Sequence, residues 1–391
     1  MNKLKSRREF IEWSLKAGMA LPVASSALWG CDTRGAKQAQ VTAQTADKLS
    51  ILILGGTSFL GPHQIASALS RGHTVATFTR GRTKPTIHTE LFEQVEQLIG
   101  DREDNLSALE NRQWDVVIDN SGRKVDWTRK SAQLLKANCG LYVYTSSTGV
   151  YFPYVQDEFK EEDGVVLSMP TAGIDEYSRL EYEYGIMKAN SELAALDAFG
   201  LDKTLIIRPT YMVGPADKTN RFIHWSIRLS KGGEILVPGK EGDRVQYIDV
   251  RDVADWMIRL AESKTSGTFN AVGPKTTQNM YDFVVEASEA FEVDSTFITV
   301  DDYDFLRSQG IEYIIPWIMP IGNNQGSAHI SNQLAIDNGL QFRSLKETVN
   351  DTYDWWNSPM VSQEQREAVE QNPDSVLARE QAIIQAWKDA D

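Results

Sequence analysis

Tyr184 and Lys188 stand four residues apart in Tyr182-Glu-Tyr184-Gly-Ile-Met-Lys188, which opens a helix predicted to run to about Phe199. Residues at i and i+4 share one helix face. A phenol with its ordinary pKa of about 10 is a poor base at neutral pH. A nearby ammonium favours phenolate and brings the tyrosine towards acid–base work. Tyr182 has Ile186 four residues on, so Tyr184 is the better candidate. Ser147, in Ser146-Ser147-Thr148-Gly149-Val150-Tyr151, is placed to hold a substrate hydroxyl in line with that phenol. Such a trio can take a proton from a substrate hydroxyl while the carbon loses hydride to a bound nicotinamide, an acceptor that other parts of the chain must hold.

The chain carries a pattern for such an acceptor. Leu49–Leu54 is a short apolar run, as a buried parallel strand should be. It enters Gly55-Gly-Thr57-Ser58-Phe59-Leu60-Gly61 and then an amphipathic stretch to Arg71. Strand, glycine turn and helix in that order bring backbone N–H groups to a pyrophosphate. Gly55 permits the tight turn, and Gly61 permits close packing of helix on strand. Ser58 stands where a middle glycine is usual. The next strand, Thr74–Thr79, ends in Thr79 and Arg80-Gly81-Arg82 rather than in the acidic residue that bonds ribose hydroxyls. Hydroxyl and guanidinium groups suit a 2′-phosphate, which favours NADP over NAD.

These residues need a scaffold that brings strand ends together. Strand-like runs recur at Val95–Ile99, Asp115–Asp119, Gly140–Thr145 and Thr204–Ile207. Helix-like stretches at Asp104–Asn111 and Trp127–Asn138 separate the earlier ones. This alternation predicts an α/β protein with a Rossmann-type, doubly wound parallel sheet and right-handed crossovers. A dinucleotide-binding domain is expected over 49–215, with contributions from 240–275. A smaller C-terminal lobe is expected mainly over 216–360, and terminal helices over 361–391. Ile311–Ile321 reads as a loop-and-turn segment, and Asp252 as a helix N-cap. Cys139 and the tryptophans Trp225, Trp317, Trp355 and Trp356 read as core. The acidic insertion 153–179 reads equally as a lid or as a solvated loop.

The ordered set of motifs resembles the extended short-chain dehydrogenase/reductase family, the NAD-dependent epimerase/dehydratase group. The set comprises G-G-T-x-F-L-G at 55–61, G-D at 100–101, S-S-x-x-V-Y at 146–151, Y-G-x-x-K at 184–188, R-P at 208–209 and G-P at 214–215. The resemblance implies that Ser147, Tyr184 and Lys188 are catalytic. It implies that Gly55, Thr57, Ser58, Phe59, Leu60 and Gly61 form the pyrophosphate turn and that Asp101 contacts adenine. Asn120, Ser121, Gly122, Thr79 and Arg80 would complete the cofactor site, with Arg208 and Pro209 at the nicotinamide end. It also implies that the C-terminal lobe binds substrate and that dimers form through the Tyr–Lys helix. Asn120-Ser121-Gly122 and Thr79-Arg80 depart from the sugar-nucleotide epimerases towards the atypical reductase-like and RNA-binding-like branch.

The N-terminus narrows the chemistry further. Ser6-Arg7-Arg8-Glu9-Phe10-Ile11 resembles the twin-arginine export signal and precedes a short apolar stretch. That stretch falls short of the roughly 18–20 apolar residues of a spanning helix. Residues 1–30 therefore read as a signal peptide and 31–48 as a flexible tether. Leu28-Trp29-Gly30-Cys31 resembles a lipobox, making Cys31 the lipid attachment and the inner-membrane face of the periplasm the expected location. An exported dinucleotide enzyme has no exchangeable cofactor pool, so its cofactor should be tightly bound and regenerated within each turnover. Transient oxidation of a carbohydrate-like hydroxyl fits that demand. The alternatives are an NADPH-dependent reductase of a small carbonyl substrate and a non-catalytic cofactor- or RNA-binding member. With 54 acidic against 40 basic side chains, the net charge of −14 disfavours nucleic acid. Two cysteines and five scattered histidines offer no metal motif, so no metal is expected.

Overall fold

The computed structural model describes residues 47–120, 123–171 and 173–390. The twin-arginine segment, Cys31, most of the tether, Ser121 and Gly122 lie outside the described residues. The first element is β1 (Ser50–Leu54), followed by α1 (Leu60–Ser70), β2 (Thr74–Thr79), β3 (Glu96–Ile99) and β4 (Trp114–Asp119). Next come α2 (Val125–Leu135), β5 (Cys139–Thr145), the long α3 (Glu176–Phe199), β6 (Thr204–Pro209) and the short β7 (Met212–Val213). Beyond them lie α4 (Ile223–Leu229), β8 (Gly233–Pro238), β9 (Arg244–Asp249), α5 (Val250–Glu262) and β10 (Gly267–Ala271).

A seven-stranded parallel sheet forms in the order β10-β6-β5-β4-β1-β2-β3. The strand alternation explains why β1 is apolar throughout. Ile51 and Ile53 face the core under α1 and α5, whereas Leu52 and Leu54 face the core under α2 and α3. From β1 the chain winds outward through β2 and β3; from β4 it winds the other way. The crevice at that reversal, beyond the C-terminal ends of β1 and β4, is where open α/β sheets bind ligands.

The C-terminal lobe has its own core. It adds β11 (Gly273–Asn279), α6 (Met280–Ser288), β12 (Ser295–Val300), α7 (Tyr303–Ser308), α8 (Gln333–Asp337) and α9 (Leu345–Asn357). β8 pairs with β12 in parallel, and β9 lies between β7 and β11. Trp225 and Trp317 are fully buried in this core, and Trp355 and Trp356 are buried in a neighbouring cluster. The chain closes with α10 (Gln363–Glu370) and α11 (Val376–Ala390), broken around Asn372-Pro373.

Several local expectations are corrected. Asp104–Asn111 is not a helix; only a 3-10 turn forms, at Ser107–Leu109. Asn105 exchanges backbone bonds with Asp101, and its side chain accepts from the Ser107 N–H and hydroxyl, offering the backbone an alternative to the helix. α3 starts at Glu176 because Asp175 caps it by accepting from the Ser178 N–H at 2.9 Å, so Tyr184 sits about two turns inside. The cap of α5 is Asp249, which accepts from the Arg251 N–H; Asp252 instead lies in the first turn, paired with Arg343. Within Ile311–Ile321, Tyr313–Ile314 and Trp317–Ile318 pair as a small antiparallel hairpin. The insertion 153–179 is anchored: Phe159 is buried and bridges to Ile330, while buried Glu161 accepts from the Asn270 N–H at 2.8 Å.

One contact sets the position of α3. A Cβ on Gly185 would lie 2.3 Å from the carbonyl oxygen of Gly149, and a Cβ on Gly149 would meet the Tyr184 ring at 2.9 Å. Only glycine at both places lets the helix seat on the Ser147–Tyr151 turn. Gly185→Ala is therefore expected to cost about 1–3 kcal/mol of stability, the range for overpacking. Urea denaturation of the variant checks this, with a midpoint equal to wild type counting against the contact.

Candidate functional site

Two clefts meet at the C-terminal edge of the sheet. The first, about 460 Å3, is lined by Gly55, Thr57, Ser58, Thr79, Arg80 and Asp101, with Arg82, Arg102 and Arg123 among the other wall residues. The second, about 470 Å3, is lined by Phe59, Ser147 and Pro209. Asn120, Tyr184 and Lys188 border both. The sequence candidates from six separate strand ends and one helix thus converge on a single junction.

The glycine turn is built for a close approach. Gly55 has φ 88°, and its N–H donates to the Phe78 carbonyl at 3.0 Å, joining the turn to β2. A Cβ on Gly61 would fall 2.5 Å from the Gly56 backbone, so that glycine lets α1 start directly against the turn. Phe59 caps α1 with φ 28°, a conformation that costs an aromatic residue backbone strain, and its ring forms part of the second cleft. The free N–H groups of the α1 first turn, the open turn and the arginines at the mouth fit a phosphate-bearing dinucleotide. Leu60 is 4% exposed and packs in the core, so it supports the turn rather than lining the cleft. Asp101 is half-buried at the wall and accepts from the Glu103 N–H at 3.0 Å. Thr79 accepts from the Gly81 N–H at 3.1 Å, ordering the loop that carries Arg80 and Arg82.

Ser147, Tyr184 and Lys188 are held from beneath. Lys188 is buried and donates to the Thr145 carbonyl at 2.9 Å, with its ammonium 5.3 Å from the centre of the Tyr144 ring. Burial opposes its charge, but the Tyr144 and Tyr184 phenols and the Asp119 carboxylate outweigh burial and hold the ammonium above its ordinary pKa range. Tyr184 is 44% exposed and open to both clefts. The Ser147 oxygen accepts from the Gly149 N–H at 3.1 Å, which leaves its hydroxyl proton to donate elsewhere. Asn120 is locked in place, donating to Gln64 at 2.6 Å and accepting from Thr145 at 2.8 Å.

Arg208 is the clearest correction. It is fully buried, with its guanidinium paired in a fork to Glu192 and further bonded to Tyr151 and to the Glu161 carbonyl. No part of it faces either cleft. The R-P signal marks a structural keystone on β6, and only Pro209 reaches the cleft. A second buried pair, Arg102 with Asp119, lies under the first cleft and is joined by Tyr142 and Ser131. Sequence reasoning passed over Arg102 and missed Tyr154, Glu181, Tyr211, Asp217 and Arg221 on the second cleft. Glu181 alone carried a local signal, being three residues before Tyr184 on the same helix face. Cys139 is buried, its thiol pushed up to about 12 by burial, as suits a core residue.

Comparison with known proteins agrees with this geometry. The model of the NAD dependent epimerase/dehydratase family matches residues 51–272, more than half the chain. The chain belongs to that family. Among solved members of the fold, the Bordetella bronchiseptica enzyme WbmH in complex with NAD+ is 18% identical, with a TM-score of 0.57 over 80% of this chain and all of that one. UDP-glucuronic acid 4-epimerase from Bacillus cereus in complex with NAD is 15% identical, with a TM-score of 0.52 over 78% of this chain and 98% of that one. At these identities the likeness is one of fold. A curated relative, chloroplast stem-loop binding protein of 41 kDa b from Arabidopsis thaliana, is 29% identical over 240 residues. That match covers 58% of this chain and 59% of the plant protein's length.

The buried fork makes a separable prediction for this family member. Arg208→Met leaves the Glu192 carboxylate buried without its partner and is expected to cost about 3–5 kcal/mol. Because Arg208 faces neither cleft, the folded variant should hold whatever nucleotide the wild-type protein holds, in the same ratio. Urea denaturation and nucleotide content after denaturation read the two effects separately.

Proposed function

We propose that the protein transiently oxidises a hydroxyl of a carbohydrate-like substrate, using a tightly held nicotinamide dinucleotide that is restored within each turnover. The observation that carries this reading is the shared border of the two clefts at Tyr184 and Lys188. That shared border supports a single acid–base group working between a dinucleotide-sized groove and a separate substrate-sized space. A bound nicotinamide would supply hydride acceptance and return. Tyr184 takes the hydroxyl proton at its phenol oxygen and gives it back. Lys188 keeps a positive charge beside that oxygen, and Ser147 donates its hydroxyl proton to the substrate oxygen. A product that regains its hydride leaves the enzyme ready for another cycle, the pattern of an epimerase or dehydratase.

Thr79, Arg80 and Arg82 at the groove support NADP, whereas the two solved relatives named above hold NAD. Export through the twin-arginine signal and anchoring at Cys31 belong to the same proposal. They supply the reason for a captive cofactor, because export in the folded state carries the nucleotide along. A second reading, binding of stem-loop RNA, is favoured by the name of the plant relative, while the acidic balance of this chain works against it.

Purified protein, dialysed extensively and then denatured, is expected to release about one nicotinamide nucleotide per chain, identified by mass spectrometry. Release of none removes the captive-cofactor reading, and recovery of NAD instead of NADP removes the role given to Arg80. Tyr184→Phe should retain the nucleotide while losing at least about a hundredfold in turnover, the lower range for a general base. Filter binding with a stem-loop RNA at low salt separates the second reading; salt-sensitive retention would favour it.

A further inference from the structure

The second cleft has a charge pattern unlike that of the first. Glu181 lies on α3 one turn before Tyr184, half-buried at the cleft wall. Among the described residues no side chain or backbone group is hydrogen-bonded to its carboxylate. Burial pushes that carboxyl up from its ordinary pKa, and Arg221 works partly against the rise. Asp217, a second carboxyl at the wall, is buried and accepts from the Thr219 N–H and hydroxyl. Arg221 is oriented by a 3.0 Å bond to Thr219 and by its guanidinium lying 5.1 Å from the Tyr211 ring centre. Lys188, the other cation at this wall, is buried and bonded to Thr145.

Two carboxyls therefore face two cations, one of them committed beneath Tyr184. A sugar joined to a nucleoside diphosphate would bring two negative charges into a space with no cationic excess, beside an uncommitted carboxylate. Further basic residues do not remedy this. Arg244 and Lys275 line a different cavity, of about 790 Å3, which shares no wall residue with this cleft. Arg80, Arg82 and Arg123 belong to the first cleft. What the second cleft does offer is suited to a neutral polyol. Phe59, Tyr154 and Tyr211 give its wall an aromatic share suited to the apolar C–H surfaces of a sugar. A carboxylate accepts strong hydrogen bonds from paired hydroxyls.

We propose that this cleft takes an uncharged sugar or polyol, free of phosphate and nucleotide, and that Glu181 is the residue that selects it. The proposal rests on the reading of the protein as a carbohydrate-modifying enzyme and adds the substrate class. Glu181 is a specificity-determining residue whose carboxylate accepts from substrate hydroxyls and repels anionic substituents.

The test is equilibrium binding to the protein as purified with its nucleotide, read by saturation-transfer NMR. The probes are the methyl glycosides of glucose, galactose and mannose, myo-inositol, glucose 6-sulfate and UDP-glucose. Wild type is expected to bind at least one neutral probe more tightly than either anion. Glu181→Gln should weaken the neutral probe roughly tenfold, the scale of a lost charged hydrogen bond, and should tighten glucose 6-sulfate. Arg221→Gln should leave the neutral-to-anion ranking in place, and thermal melts establish that both variants are folded. Tighter wild-type binding of UDP-glucose than of every neutral probe overturns the proposal, as does an unchanged ranking in Glu181→Gln or binding of no neutral probe. Nucleotide release on denaturation is measured on the same samples. Nucleotide present without neutral-sugar binding sinks the substrate class alone; nucleotide absent sinks the captive-cofactor reading beneath it.

Discussion

The approach of α3 to the turn after β5 is the contact on which the site depends. Gly149 and Gly185 remove the two Cβ atoms that would hold helix and turn apart. With that gap closed, Tyr184 rides over the Ser147 turn, and Lys188 reaches the Thr145 carbonyl at the end of the same strand. A helix displaced by the width of a methyl group would separate the phenol from the serine and lift the lysine from its acceptor. That single close approach is what preorganises Ser147, Tyr184 and Lys188 at the junction of the two clefts.

Beneath that contact lie two buried Arg–carboxylate forks, Arg208–Glu192 and Arg102–Asp119. Each ties several elements together. Arg208 on β6 reaches Glu192 on α3, Tyr151 after β5 and the backbone of the insertion. Arg102, just beyond β3, reaches Asp119 at the end of β4 and Ser131 on α2. Such pairs are weak evidence for net stability, since desolvation offsets most of their attraction. Their planar, bidentate geometry does constrain direction, and here it constrains the floor of both clefts.

The two clefts divide the labour electrostatically. Arginines crowd the mouth of the one beside the glycine turn, where phosphates would lie. The one beyond Tyr184 sets two carboxyls against two cations among aromatic rings. The chain is acidic as a whole, so this local difference in charge comes from placement and not from composition.

Local signals were enough for the scaffold. The apolar run of β1, the turn at 55–61, the βα alternation and the i, i+4 spacing of Tyr184 and Lys188 depend on neighbours in the chain. They therefore named the doubly wound sheet from sequence alone, and with it the glycine turn and the Ser147, Tyr184 and Lys188 positions that the fold brings together. Asp104–Asn111 misled because helix-like residues there were captured by the Asn105 side chain, a competition that periodicity does not register. Arg208 misled for a different reason. Whether an arginine on a strand end meets a ligand or a carboxylate depends on Glu192 and Glu161, which arrive from distant segments. The same holds for the second cleft, whose walls come from residues as far apart as Phe59, Tyr154, Tyr211 and Ser327. Sequence thus determined the elements and the chemistry carried on them, since those follow from local spacing. Tertiary structure alone decided which charges face a ligand and which are neutralised in the core, because that depends on partners that only folding brings into contact.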